Sequence, residues 1–162
     1  MSEDIMQSFI GKVIRVDVGA RKSRIGRVMD ASDEHIVIFT EDAVVYYNID
    51  YIHCFSENSK GEMEFDIEVP NDFEFIKVAT FKDLLDSLKF RWVQIDCGGK
   101  KLEGILNDVK QDVVTLINKE EIFRIFMFHI ENISYEGKIS GSRPSNDSDS
   151  ESTSYFESSS FS

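Results

Sequence analysis

The side chains of this chain whose types could do chemistry are three histidines, two cysteines and two recurring pairs of aspartates. Metal binding asks for His or Cys at close, characteristic spacing, and acid, base or nucleophilic catalysis asks for groups that a fold brings within hydrogen-bond reach of one another. His35, His53 and His129 fall in segments that read as strands, with no evident nucleophile and no ligand spacing. Cys54 and Cys97 make neither a disulfide framework nor a close-spaced metal motif; Cys97 is expected as a small buried hydrophobe at the place Val18 holds earlier, and Cys54 as a more exposed thiol. Asp17 and Asp96 occupy matched positions, as do Asp30 and Asp108. Both pairs read as strand-end residues beside turns, where Asp bonds its own backbone. No catalytic residue, cofactor site or metal site is expected.

The matching of those aspartates comes from a segment that occurs twice. Asp4 to Ile10 followed by Lys12 to Gly19 is echoed by Asp83 to Lys89 followed by Arg91 to Gly98, and Tyr51 to Ser56 by His129 to Ser134. Each copy opens with a short amphipathic helix. Thr80-Phe81-Lys82-Asp83 has the form of a capping box with Asp in place of Glu, and Leu84, Leu85 and Leu88 make one apolar face. Strands are expected from Ile14 to Val18, Arg24 to Met29, His35 to Phe39, Val44 to Asn48 and Tyr51 to Ser56, with counterparts between Leu102 and Ser134. Gly26 and Gly104 lie inside the second strand of each copy, as a small, sharply bent barrel requires. Between the copies, Glu62 to Val69 alternates acidic and apolar residues and predicts a strand with one buried and one negative face. Phe73, Phe75, Ile76 and Val78 are expected to lie across a barrel surface.

The fold expected is therefore mainly β: two tandem Sm-like or SH3-like barrels, each behind a short helix. Their boundaries fall at 1–60 and 80–137, with a packed connector at 61–79 and an acidic, Ser-rich, disordered tail at 138–162. Tyr155, Phe156 and Phe161 are the aromatic exceptions in that tail.

Net charge narrows the partners. With 162 residues carrying −12, phosphate backbones and anionic membranes are repelled, and cationic or neutral protein surfaces are favoured. No apolar run is long enough to span a bilayer, and Met1-Ser2-Glu3-Asp4 is acidic where a signal peptide would be basic, so retention on the cytoplasmic side is expected. The Sm-like layout raises a nucleic-acid-binding regulator as the alternative. Yet Asp30 to His35, Tyr46 to Ile49, Asp108 to Asp112 and Arg124-Ile125 stand where RNA-binding Sm proteins carry their contacts, and several of these residues are acidic.

The runs Arg91 to Gly99, Glu103 to Leu106 and Phe123 to Ser134, with Val44 to Ile49 and Tyr51-Ile52 in the first copy, resemble the spore coat protein B family of Bacillus-type endospore formers. The likeness covers roughly residues 5 to 136. Where that family's turn reads Gly-Gly-Pro-Glu, this chain has Gly19-Ala20-Arg21-Lys22 and Gly98-Gly99-Lys100-Lys101, and its tail is short and acidic. The resemblance implies a non-enzymatic structural component of the outer spore coat, made in the mother-cell cytoplasm and assembled with other coat proteins. Those partners are expected to be Lys/Arg-rich, and homo-oligomerisation is left open. The family's serine-rich tail is associated with phosphorylation, which points to Ser148, Ser150, Ser152 and Ser154.

Overall fold

The computed structural model describes residues 3–17, 23–61, 64–65 and 67–135. Its first half runs α1 (Glu3–Gln7), β1 (Val13–Asp17), β2 (Arg24–Ala31), β3 (His35–Phe39), β4 (Val44–Asn48), a 3-10 turn (Ile49–Tyr51) and β5 (Cys54–Ser56). The second half repeats the order with α2 (Phe81–Ser87), β6 (Trp92–Cys97), β7 (Lys100–Lys110), β8 (Val113–Asn118), β9 (Glu121–Phe126), a 3-10 turn (Met127–His129) and β10 (Ile130–Tyr135). Helix α2 starts as its sequence indicates: Thr80 Oγ1 accepts the Asp83 N–H at 3.0 Å, and Leu84, Leu85 and Leu88 are buried. Gly98 and Gly99 both take positive φ in the tight turn between β6 and β7, a conformation that costs other residues dearly.

All strands are antiparallel and belong to one open sheet, in the order β5-β1-β2-β3-β4-β10-β6-β7-β8-β9. Each half lays its strands fifth, first, second, third, fourth. Pairing of β4 with β10 then joins the halves into a single sheet, where two barrels packed together were expected. The sequence marks the glycine positions correctly and the structure supplies a sharper reason for them. A Cβ on Gly26 would stand 2.5 Å from Phe39 O, and one on Gly104 would stand 2.5 Å from Ile117 O, so the neighbouring strand's backbone occupies that space.

Several local expectations need correcting. The described residues of the 62–69 segment, Glu64, Phe65, Ile67, Glu68 and Val69, form no strand; Phe65 and Val69 pack on the core and Ile67 is exposed. Alternation marks a face ready for burial, and a strand also needs a partner edge to pair with. His53 precedes β5 and His129 lies in a 3-10 turn, so only His35 is a strand residue. Asp30 and Asp108 sit within β2 and β7, at register shifts between Val28 and Asp30 and between Leu106 and Asp108. They mark matched bulges instead of strand ends. The tail, including the four serines and the aromatic residues noted above, lies outside the described residues.

Two apolar clusters form the core. The smaller one gathers Ile14, Val16, Val28, Ile36, Ile38, Val45 and Tyr47 within the first half. The larger combines Val37, Phe39, Val44 and Tyr46 from the first half with Phe81, Leu84, Leu85, Leu88, Val93, Ile95 and others from the second, and Phe73, Phe75, Ile76 and Val78 of the connector pack against it.

Candidate functional site

The residues singled out for chemistry are dispersed. His35 is buried, with Ser32 Oγ 3.4 Å from its Nδ1 and the rings of Tyr46 and Phe81 at 5.9 and 6.1 Å. Burial pushes its imidazole below the ordinary value, against the opposing pull of Asp30 and Glu34. His53 and His129 are exposed. Among the described residues no group of three or more His, Cys, Asp and Glu is placed to hold a metal ion.

Asp17 ends β1 as expected, and the turn that follows it lies outside the described residues; both matched carboxylates make a bond across the sheet. Asn132 Nδ2 donates to Asp96 Oδ2 at 3.2 Å, and at the matched place Cys54 Sγ donates to Asp17 Oδ2 at 3.7 Å. Each carboxylate is thus tied to the neighbouring strand, β10 to β6 and β5 to β1. Cys54 is exposed, in line with its sequence position; Cys97 is half-buried and packs on the larger cluster, and burial raises its thiol, with Glu131 adding to the rise.

The densest polar arrangement lies where β4 meets β10, in the register Tyr47 to Asn132, Tyr46 to Ile133, Val45 to Ser134 and Val44 to Tyr135. Asn48 Nδ2 donates to Ile130 O at 3.0 Å and the Tyr51 hydroxyl donates to Phe128 O at 2.7 Å, so side chains of the first half satisfy carbonyls of the second. The Tyr46 hydroxyl donates to Ile76 O at 3.0 Å and accepts the Ile76 N–H at 2.9 Å, fastening the connector to β4. Its ring stacks with Tyr135 at 6.1 Å, and Arg91 covers the Tyr135 ring at 5.3 Å. Burial, then Tyr135, pushes the Tyr46 hydroxyl well above the ordinary phenol range, so it stays a neutral donor and acceptor. Glu34 Oε1 accepts the Phe81 N–H at 2.8 Å, which satisfies one of the free amides at the start of α2 from across the junction.

This geometry is built to hold two half-sheets together. It offers no reacting centre, since each polar group just named is already engaged by another part of the chain. Tyr46 and Tyr47, which the sequence comparison with Sm proteins singled out, are buried.

No family model matches the chain. Among curated proteins it is 33% identical over 140 residues to spore coat protein B of Bacillus subtilis (strain 168), a match that takes in 83% of this chain. The chain is spore coat protein B-like. It spans about a third of that relative's length, 36%. The matched stretch is long enough that it must take in most of both half-sheets. No helix among the described residues is long and apolar enough to cross a membrane.

Reading the sequence missed the residues that make this junction: Tyr46, Asn48, Tyr51, Asn132 and Tyr135. The signal was present as departures between the copies. Tyr46 matches Arg124 and Asn48 matches Phe126, and such mismatches single out where one copy meets a neighbour and the other does not.

Proposed function

We propose that the protein is a non-enzymatic structural component of the spore coat, built from two copies of one small β-unit and assembled through protein contacts. The observation that carries this reading is the similarity to spore coat protein B over 83% of the chain. The engagement of its polar side chains in fold-holding bonds at the junction adds support, because a scaffold needs rigidity where an enzyme needs a reactive cleft. On this reading the protein is made in the mother-cell cytoplasm and moves to the outer coat. The 138–162 tail serves as an acidic tether for Lys/Arg-rich coat proteins, strengthened by phosphorylation at Ser148, Ser150, Ser152 and Ser154. The connector over 61–79 holds the units at 1–60 and 80–137 in one body.

A fluorescent fusion followed through sporulation tests the reading: a ring of signal on the forespore is expected, and a diffuse signal throughout the mother cell overturns it. The competing class is an Sm-like nucleic-acid-binding regulator. Salt-sensitive binding of single-stranded RNA at micromolar affinity or better would decide for that class instead.

A further inference from the structure

Among the described residues the sheet ends at β5 on one side and at β9 on the other. These are the same two strands, fifth and fourth of a half, that meet inside the chain as β10 and β4. The internal junction is therefore a template for what each free edge fits. We propose that the protein associates with further copies of itself head to tail, β9 of one copy pairing antiparallel with β5 of the next.

Transposing the β4–β10 register through the matched ladders gives the pairing directly. Val44, Val45, Tyr46 and Tyr47 correspond to Ile122, Phe123, Arg124 and Ile125, because each set faces the same positions of the third strand. Asn132, Ile133 and Ser134 correspond to Cys54, Phe55 and Ser56 by their pairing with the first strand, and Tyr135 to Glu57. Ile125 then falls opposite Cys54, Arg124 opposite Phe55, Phe123 opposite Ser56, and Ile122 opposite Glu57.

Burial shows that these faces lack the cover their counterparts have. Val44 is 5% exposed, whereas its match Ile122 is 54% exposed, and Phe126 at the far end of β9 is 58% exposed. On the complementary side Leu84 of α2 is fully buried in the cluster that also holds Val44, whereas Ile5, its match in α1, is 58% exposed. A second copy would bring the Ile5 face of α1 towards Ile117 and Ile122, as the face of α2 shares one core with Phe39 and Val44 within one chain.

Charge agrees with the geometry. Where the internal junction stacks Tyr46 on Tyr135 with Arg91 above, the transposed one sets Arg124 diagonally across from Glu57, on the same face. Glu57 already faces Lys12 at 3.8 Å, the match of Arg91, and Arg124 donates to Thr115 Oγ1 at 2.8 Å with only one of its several N–H groups. An aromatic pair inside the chain is replaced by an opposite-charge pair between chains. Such contact between unlike edges does not stop at two copies; it closes into a ring or runs on as a filament. The inference stands on strand order and burial, and its failure would leave the coat reading untouched.

Sedimentation velocity on the full chain over a concentration series tests it. The mass distribution is expected to grow past the dimer as concentration rises. Arg124→Glu and Glu57→Arg should each weaken association by about tenfold or more by setting like charges across the junction. The thermal unfolding of the monomer should shift only slightly, since both side chains are exposed and each gives up a single contact, to Thr115 or to Lys12. Mixing the two variants should restore growth, because each then offers the charge the other lacks. A wild-type chain that stays monomeric, a distribution that saturates at a dimer, variants that associate normally, or a mixture that fails to recover would each overturn the proposal.

Discussion

Helices α1 and α2 open the two halves with matching sequences, yet only α2 is sealed. Leu84, Leu85 and Leu88 are buried in a cluster that also takes Val37, Phe39, Val44 and Tyr46 from the other half. In α1 the corresponding face rests on the smaller cluster through Met6 and Phe9, and Ile5 remains exposed. The same apolar pattern thus has two outcomes. Burial is decided by the neighbour that a strand order supplies, and the amphipathic pattern states only which face is ready for one.

The sharpest way to break that comparison is to truncate matched residues. Leu84→Ala should cost about 3 kcal/mol, while Ile5→Ala should stay within about 0.5 kcal/mol, both read by urea unfolding of the monomer. Equal losses would show that the halves are covered alike. Next come the matched glycines: Gly26→Ala and Gly104→Ala should each cost about 2–3 kcal/mol, because the added methyl meets a strand carbonyl that cannot move without tearing the ladder. Since the larger cluster crosses the β4–β10 junction, both should shift one common transition; two resolved transitions would mean that the halves unfold separately.

A smaller effect belongs to the connector. Tyr46→Phe leaves the N–H and C=O of Ile76 without their partner and should lower stability by about 1–2 kcal/mol. The smallest is a pH effect. His35 has its folded pKa lowered from 6.5 by burial, so below pH 6.5 the unfolded chain takes up the proton more readily than the folded one. The stability present above that pH is lost as pH falls through the folded value. His35→Gln should flatten this part of the profile in denaturation curves collected from neutral to mildly acidic pH; an unchanged slope would place its origin in other groups.

Much of the fold was legible because strands and caps leave local marks. The β3 and β4 boundaries follow the apolar runs directly, Thr80 and Asp83 announce α2, and Gly98-Gly99 announces its turn. What escaped was information held by distant residues. Nothing near Val44 shows that its partner strand begins at Ile130, and nothing in the alternation of 62–69 shows that its described residues join no strand. Of the chemistry-bearing residues, the exposure of Cys54 was legible from its polar match Asn132, whereas the burial of His35 depends on Tyr46 and Phe81 and left no local mark. The junction residues were hidden because Asn48 and Tyr51 look like ordinary turn residues until the carbonyls of Ile130 and Phe128 are set beside them.

The bond from Asn48 to Ile130 joins residues 82 apart, and that separation has a consequence for how the chain is made. Synthesis at about 5–20 residues per second leaves β4 finished for roughly 4–16 seconds before its partner emerges. During that interval the nascent chain carries a complete but open ladder edge, the condition in which strands find wrong partners. The connector arrives earlier. Ile76 and Phe73 can reach Tyr46 and Phe39 well before β10 exists, so the segment that looks like a mere spacer is placed to act as an internal chaperone, shielding the face of the sheet until the rightful strand comes off the ribosome.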